Sequence, residues 1–419
     1  MQRIFRYTAA LLSTLGVVAL AGCPKPGAST ARPRAHATQR LTMEPIMIVA
    51  ERSGVGYRSE AFSADELFGK ALAAQRKGRC AEATATYRKL LKYFGRSPYG
   101  PPSHYNAALC FQVLKRWRDA ARHFETASRG VKKSEEVVQA LGAAGVNYAE
   151  AGSWSDSQRC FEALLGRTDL STHQRIEALA RHGLAWLKSQ NFSKASKSFD
   201  AALALYRKTR TAERLPTTFY VAMAVYHKAM IYHELFKATP LRLPEEQMSQ
   251  DVEAMATWMY KAQRGYWDVV QYKNHFWAMA AVYQVGTLYW EFRKALIAAP
   301  VPHFVHVRYF DKVLKRYETI NAAEQRAAYF QKLRAKTRIL LRHAITVYQK
   351  AIVTAERIGA KNKWVKRLHS ALATVKRRYA KEPTEGDEPA TGAPVRPKRS
   401  PLVPRSLDPA KYRPAAVEL

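Results

Sequence analysis

Residues that could carry catalysis or bind a metal are sparse and poorly spaced in this chain of 419 residues. His303 and His306 lie three apart, which would place both on one helical face, but they follow Pro300-Val301-Pro302 and no third ligand is evident. His233 and Glu234 begin the pattern of a zinc-protease helix without its second histidine. No Walker, GxGxxG, HExxH, GxSxG or CxxC motif occurs. The sequence therefore predicts a non-enzyme with no metal, cofactor or small-molecule substrate.

Cys23 follows a segment with the features of a secretory signal. A positive start, Met1–Arg6, precedes an apolar run from Ala9 to Ala21, too short for a membrane span of about 20 residues. The pair Ala21-Gly22 before Cys23 resembles the lipobox of bacterial lipoproteins, in which the cysteine sulfur is acylated and the cysteine becomes the new N-terminus. The resemblance implies a lipid anchor on Cys23 and, with Pro24 instead of Asp next, the periplasmic side of the outer membrane. An ordinary secretory signal followed by a free cysteine is the alternative.

The composition is that of a folded and strongly basic protein. Hydrophobic residues make up 47% of the chain, and 68 Lys and Arg face 34 Asp and Glu, for a net charge of +34. Such a charge often indicates nucleic acid as a partner, but a secreted protein does not meet chromosomal DNA, and no RRM, zinc-finger or helix-turn-helix signature occurs. We therefore expect no nucleic acid, and instead an anionic cell-wall or lipid surface or an acidic protein. A bland alternative is that the arginine content reflects genome base composition.

Changes in composition divide the chain into five parts. Residues 1–22 form the signal peptide, and residues 23–60 carry the lipidated cysteine and a flexible linker. Residues 61–210 hold four repeats, and residues 211–380 hold longer, divergent, basic helices. Residues 381–419 contain eight prolines and few aromatic residues, so we expect a disordered tail.

The repeats carry the fold prediction. A tetratricopeptide unit of about 34 residues forms two antiparallel helices, with small residues at positions 8 and 20 and an aromatic residue at 24. Units starting at Ala64, Pro101, Val138 and Ile176 follow one another at intervals of 37, 37 and 38 residues. Position 8 is then Ala71, Ala108, Gly145 and Gly183, and position 24 is Tyr87, Phe124, Phe161 and Phe199. The sequence predicts an all-α superhelix of tetratricopeptide-type hairpins, an α-solenoid, with disordered termini.

The first helices of these repeats should line a partner-binding groove. Positions 5, 9 and 12 are expected on the inner face, and the predicted groove residues are Phe68, Leu72, Gln75, Tyr105, Leu109, Gln112, Val146, Leu184 and Leu187. Position 9 is Leu, Leu, Val and Leu, where tetratricopeptide domains that clamp a C-terminal carboxylate have Asn. The groove should therefore favour an apolar or amphipathic segment of an envelope protein. The alternative is that a terminal segment of the chain itself covers these residues.

Three cysteines follow Cys23, so at most one disulfide can form among them within the chain. Cys80 and Cys110 fall at positions 17 and 10 of adjoining repeats, which the repeat geometry places near the same end of neighbouring helices. We predict a possible Cys80–Cys110 disulfide, since the envelope is oxidising. Two buried thiols at small-residue positions are the alternative.

The second half should be helical and more basic. Pro240 and Pro244 separate two helices, and a third should end near Ala299 before Pro300. Between Asp311 and Arg378 there are 18 Lys and Arg against four Asp and Glu. This charge indicates either a solvated face or a face that binds an anionic partner.

Segments of the second half carry a family resemblance. Lys261–Tyr266, Ala278–Tyr289, Ala298–Pro302, and the run from Tyr348 to Val365 resemble the tetratricopeptide outer-membrane lipoproteins of deltaproteobacteria, including those of gliding-motility envelope complexes. The resemblance implies a non-catalytic adaptor in an envelope complex such as a motility or transport machine. A regulator of a cell-wall enzyme and an outer-membrane protein assembly factor are the alternatives.

Overall fold

The computed structural model describes residues 45–53, 56–301, 303–311 and 316–384. The predicted signal peptide, Cys23 and the tail from residue 385 lie outside the described residues. Within them the chain forms thirteen α-helices and two short β-hairpins, and no sheet closes on itself. The predicted fold class, an all-α array of tetratricopeptide-type helical hairpins, is confirmed.

The first eight helices form the four predicted hairpins. They are α1 Ala64–Arg76, α2 Cys80–Phe94, α3 Gly100–Val113, α4 Trp117–Gly130, α5 Ser134–Glu150, α6 Trp154–Leu165, α7 Thr172–Lys188 and α8 Phe192–Thr209. The two helices of each hairpin pack together, and the first helix of each later hairpin also packs on the second helix of the hairpin before it. Successive hairpins therefore share their apolar surfaces, as expected of a repeat array.

The turn inside each hairpin uses one local structure. A residue with positive φ follows the first helix at Gly78 (75°), Lys115 (57°), Gly152 (72°) and Gln190 (61°). At Gly78 the backbone N–H donates to the Gln75 carbonyl at 2.9 Å, and the Arg79 N–H donates to the Ala74 carbonyl at 3.0 Å. Equivalent pairs close the other three turns. This arrangement caps the last carbonyls of the first helix and reverses the direction of the chain. Because the four turns share it, the second helix follows the first in the same orientation in each hairpin.

Close helix approach inside the hairpins depends on the small residues at position 8. Ala71 and Ala108 are fully buried. A methyl group added to Gly145 would lie 2.8 Å from the Phe161 ring, and one added to Gly183 would lie 2.5 Å from the Phe199 ring. In the third and fourth repeats, the aromatic ring at position 24 therefore fills the space that the glycine at position 8 leaves empty.

Five longer helices complete the fold: α9 Phe219–Ala238, α10 Glu245–Val270, α11 His275–Ala298, α12 Ala322–Arg357 and α13 Lys363–Tyr379. They pack in sequence order, and α11 ends at Ala298, directly before the expected break at Pro300. One continuous core runs from Ile176 in the fourth repeat to Val375 in α13. The second half therefore extends the array without a separate core.

Two β-hairpins depart from the expected organisation. Strands β1 Ile46–Ser53 and β2 Gly56–Ser63 pair antiparallel inside the segment expected to be a flexible linker. Strands β3 Val307–Asp311 and β4 Arg316–Ile320 separate α11 from α12, where helices were expected. The first hairpin is held because Phe62 is buried against Phe94 and leads directly into α1. Its apolar alternation is too short to stand out in the sequence.

A separate finding concerns the lengths and composition of the helices. No helix in the described part of the chain is both long enough and apolar enough to cross a membrane.

The packing at position 8 generates a stability prediction within α5. Gly145→Ala should lower the free energy of unfolding by about 1 to 3 kcal/mol, because the new methyl group overpacks against the buried Phe161 ring. Gly142→Ala is the matched control: nothing lies within 4 Å of its added methyl group, so it should stabilise the helix by about 0.5 to 1 kcal/mol. Urea unfolding followed by circular dichroism measures both, and equal midpoints would contradict the assignment.

Candidate functional site

One cluster has the residue types of a serine hydrolase. Ser198 Oγ lies 3.1 Å from His182 Nδ1, and Glu162 Oε1 lies 3.4 Å from His182 Nε2. The indole N–H of Trp186 donates to His182 Nε2 at 2.8 Å, so this nitrogen is an acceptor and the proton of the neutral ring sits on Nδ1. Nδ1 then donates to Ser198 and cannot take its proton. The geometry therefore supports a structural role, because a general base must accept the proton of the nucleophile.

A second cluster joins a tyrosine, a histidine and a glutamate. His233 Nδ1 lies 3.0 Å from the Tyr266 hydroxyl, and its Nε2 lies 2.7 Å from Glu291 Oε2. Tyr266 is fully buried, and burial raises its pKa well above the ordinary value. A protonated phenol without solvent contact is a poor nucleophile, so the cluster links α9, α10 and α11 without offering a reaction site.

Histidine pairing produces one further candidate for metal binding. The Nδ1 atoms of His104 and His123 lie 3.1 Å apart, and burial lowers the pKa of both rings, that of His123 to about 4. Two histidines without a third ligand do not make a zinc site. No group of three possible ligands occurs anywhere in the described part of the chain, and His303 and His306 are both exposed in the segment before β3.

The structure brings Cys80 and Cys110 together as expected, but as free thiols instead of the predicted disulfide. Burial and a hydrogen bond with the Cys80 thiol raise the pKa of Cys110 to about 12. Burial likewise raises the pKa of Cys160 to about 12. The thiols of Cys110 and Cys160 are therefore unreactive, because the thiolate is the form that reacts. The three cysteines therefore serve as small core residues.

The predicted groove residues at positions 5 and 9 are partly exposed on the first helices of the repeats. Leu72, Leu109, Val146 and Leu184 are half-buried on the first helices of the four repeats, and Leu109, Val146 and Leu184 also pack against the core clusters. Phe68 and Tyr105 are half-buried as well. Their rings pack on neighbours within the array, Phe68 on Tyr99 at 5.3 Å and Tyr105 on Phe124 at 5.1 Å.

Position 12 is less uniform than expected. Gln75 accepts a hydrogen bond from the Tyr87 hydroxyl at 2.9 Å, so its amide serves the first hairpin, and Gln112 is half-buried. Leu187 was expected in the groove and is a core residue, 5% exposed. The reason is that α9 packs on α7 as well as on α8 and covers the end of the fourth repeat.

The basic second half contains a buried ion pair that the sequence did not reveal. Arg293 of α11 is 3% exposed, and its Nη2 lies 2.8 Å from Glu382 Oε2. Arg378 Nε lies 2.5 Å from the other oxygen of Glu382. Glu382 is itself buried and follows α13, so it ties the end of the folded region to α11. No spacing rule connects two residues so far apart in the sequence.

A buried histidine also lies in the core of the second half. His227 Nδ1 is 2.9 Å from the Met223 carbonyl, and its ring stacks on Phe199 at 6.2 Å. Burial lowers the pKa of His227 to about 4. The ring is therefore neutral in the folded protein at pH 7.

Comparisons with known proteins find solved structures that align with this chain, but no sequence relatives. No protein-family profile matches the chain, and no curated protein matches its sequence. A tetratricopeptide repeat protein of Parabacteroides merdae aligns at 14% identity over 75% of this chain and 98% of its own, with a TM-score of 0.33. The C-terminal part of a tetratricopeptide repeat-containing protein of Cytophaga hutchinsonii aligns at 13% identity over 74% and 95%, with a TM-score of 0.36. Pseudomonas aeruginosa pilF aligns at 15% identity over 55% and 95%, with a TM-score of 0.30.

The buried ion pair generates a prediction. Glu382→Gln should destabilise the protein by about 3 to 5 kcal/mol, because it leaves the buried Arg293 without a counter-charge. Arg378→Gln removes the partner that is 43% exposed and should cost about 1 kcal/mol or less. Denaturant unfolding of both variants beside the native protein tests this. Similar losses in the two variants would show that Arg293 does not depend on Glu382.

The buried histidine generates a pH dependence. Below pH 6.5, the ordinary histidine value, the unfolded chain takes up a proton at residue 227 and the folded chain does not. The stability conferred by the neutral ring is therefore complete above pH 6.5 and is lost as the pH falls towards 4, by about 3 kcal/mol in total. His227→Phe, which keeps an aromatic ring, should flatten the fall in unfolding free energy between pH 7 and pH 4.5. Parallel curves for the two proteins would contradict this origin.

Proposed function

We propose that this chain is a non-catalytic scaffold, a lipid-anchored tetratricopeptide adaptor that binds envelope proteins in an outer-membrane and periplasmic complex, such as a motility or transport machine. The observation that carries the proposal is the recurrence of a half-exposed apolar side chain at position 9 of all four repeats: Leu72, Leu109, Val146 and Leu184. Leu109, Val146 and Leu184 each pack against a core cluster with part of the side chain, and all four residues keep a part that is exposed.

The spacing of these side chains suits an extended or helical partner segment. One apolar residue per repeat gives a row of contacts along successive first helices, and such rows recognise apolar or amphipathic segments. The two look-alike catalytic clusters are engaged in internal hydrogen bonds, so binding, and not chemistry, is what the described surface offers.

The location of the proposed complex rests on the sequence. The lipobox-like Ala21-Gly22-Cys23 supports acylation, and several acyl chains hold a protein stably because each buried CH₂ contributes about 0.8 kcal/mol. The row at position 9 starts in α1, so a segment from residue 23 to residue 63 separates the proposed anchor from the proposed binding surface.

The test is crosslinking in intact cells followed by affinity purification. A chain with Leu72→Glu, Leu109→Glu and Leu184→Glu should lose the envelope proteins that the native chain recovers, because a charge in an apolar contact is costly to bury. The matched control carries Val113→Glu, Leu114→Glu and Val353→Glu, three exposed apolar residues outside the row. A Cys23→Ser chain controls for location.

Circular dichroism must show that both triple variants keep the helical fold. The proposal is supported if only the variant in the row loses its partners. It is overturned if the folded row variant and the control recover the same proteins as the native chain.

A further inference from the structure

An open cleft of 680 Å³ lies between the first half of α12 and the residues that follow α13. Ala327, Phe330 and Arg334 form one wall, and Ala380–Pro383 form the other. Residues 330 and 334 are one helical turn apart and so lie on the same face of α12. This wall of the cleft therefore carries an aromatic ring and a guanidinium group side by side.

The charges around the cleft are not balanced. Arg334 and Lys381 are exposed, and neither has an ion-pair partner within the described ranges. The acidic residue of the lining, Glu382, already serves Arg293 at 2.8 Å and Arg378 at 2.5 Å. Its carboxylate is thus committed elsewhere, and the cleft keeps two uncompensated cations.

A third cation extends this face by one turn of α12. The guanidinium carbon of Arg338 lies 3.8 Å from the centre of the Tyr379 ring, and its Nε is buried without a hydrogen-bond partner. Stacking on Tyr379 fixes the orientation of the guanidinium group. Arg334 and Arg338 therefore present planar donors of the kind that bind carboxylates in pairs.

We propose that this cleft binds an acidic segment of a partner protein. Carboxylates of the segment pair with Arg334 and Lys381, and an adjacent apolar side chain packs on Phe330. The Phe330 ring beside two exposed cations favours a segment that carries both carboxylates and an apolar side chain over a lipid head group or a polysaccharide. The proposal rests on the scaffold function proposed above and gives it a second contact surface, distant in sequence from the position 9 row.

Fluorescence anisotropy on the purified full-length protein in detergent tests the proposal. The probe is a labelled octapeptide of six Glu and Asp residues, one Leu and one Gly, and the same peptide with Gln and Asn in place of the acids is the charge control. Arg334→Gln with Lys381→Gln should weaken binding of the acidic peptide by about tenfold, as expected for a loss of about 1.4 kcal/mol. Arg342→Gln with Lys350→Gln removes the same charges from exposed positions of α12 that do not line the cleft, and should change binding less than twofold.

The outcomes separate this proposal from its competitors and from the position 9 row. Equal weakening in the two double variants, or no binding at all, overturns it. Binding that appears only after truncation behind Thr384 would assign the cleft to the tail of the chain itself and overturn it. Binding of phosphatidylglycerol vesicles through Arg334 and Lys381, without peptide binding, would assign the cleft to a lipid surface and would also overturn the proposal. The Leu72, Leu109 and Leu184 variant should bind the peptide normally, so failure of the groove and failure of the cleft are distinguishable.

Discussion

The close approach of two helices within each hairpin is the constraint on which the rest of the structure depends. Position 8 holds a fully buried alanine in the first two repeats, and in the last two it has room for glycine only, because the aromatic ring at position 24 occupies the space beyond it, as the Phe199 ring does opposite Gly183. This contact sets the angle and spacing of the hairpin. Successive hairpins then stack in register, and their position 9 side chains recur along one face. The surface proposed to bind partners is thus a consequence of packing inside the repeats.

The second constraint is the scarcity of acidic residues. The chain has 34 Asp and Glu for 68 Lys and Arg, and two of the three buried carboxylates among the described residues, Glu125 and Glu382, each pair with two cations. Glu125 accepts from Arg159 at 2.6 Å, Arg129 at 2.7 Å and the Tyr148 hydroxyl at 2.9 Å, and these hydrogen bonds hold its pKa below the usual range. Glu382 serves Arg293 and Arg378 in the same manner. Cations that no carboxylate reaches are left at the surface. Helix α13 has six Lys and Arg and no acidic residue, and most of them are exposed.

The sequence predicts those parts of the fold whose contacts join residues close together along the chain, and it does not predict those whose contacts join distant residues. The four hairpins were predictable because positions 8, 20 and 24 of a repeat lie within one local unit, and the same pattern returns after 37 or 38 residues. Leu187 was misplaced because it belongs to the core that continues into the second half, where α9 packs on both α7 and α8. The link from Arg293 to Glu382 was invisible because it joins residues across the β3–β4 hairpin and two helices. The β1–β2 hairpin was missed because its contacts with α2, the packing of Phe62 on Phe94 and the Glu60–Lys89 ion pair, join residues that no local spacing connects.

These two constraints divide the protein into surfaces with different physical behaviour. Contacts to the position 9 row come from burying apolar area, which is insensitive to salt near physiological ionic strength. Contacts to the cationic face of α12 and α13 are screened over about 8 Å in the same conditions. A partner that used only the second surface would be held weakly and without much selectivity, since exposed ion pairs contribute little. A partner that reached both would be bound by the apolar row and oriented by the cations, because linked contacts reinforce one another. The ordering of the array, with the apolar row in the first half and the charge in the second, therefore favours a partner long enough to span several hairpins over a compact one.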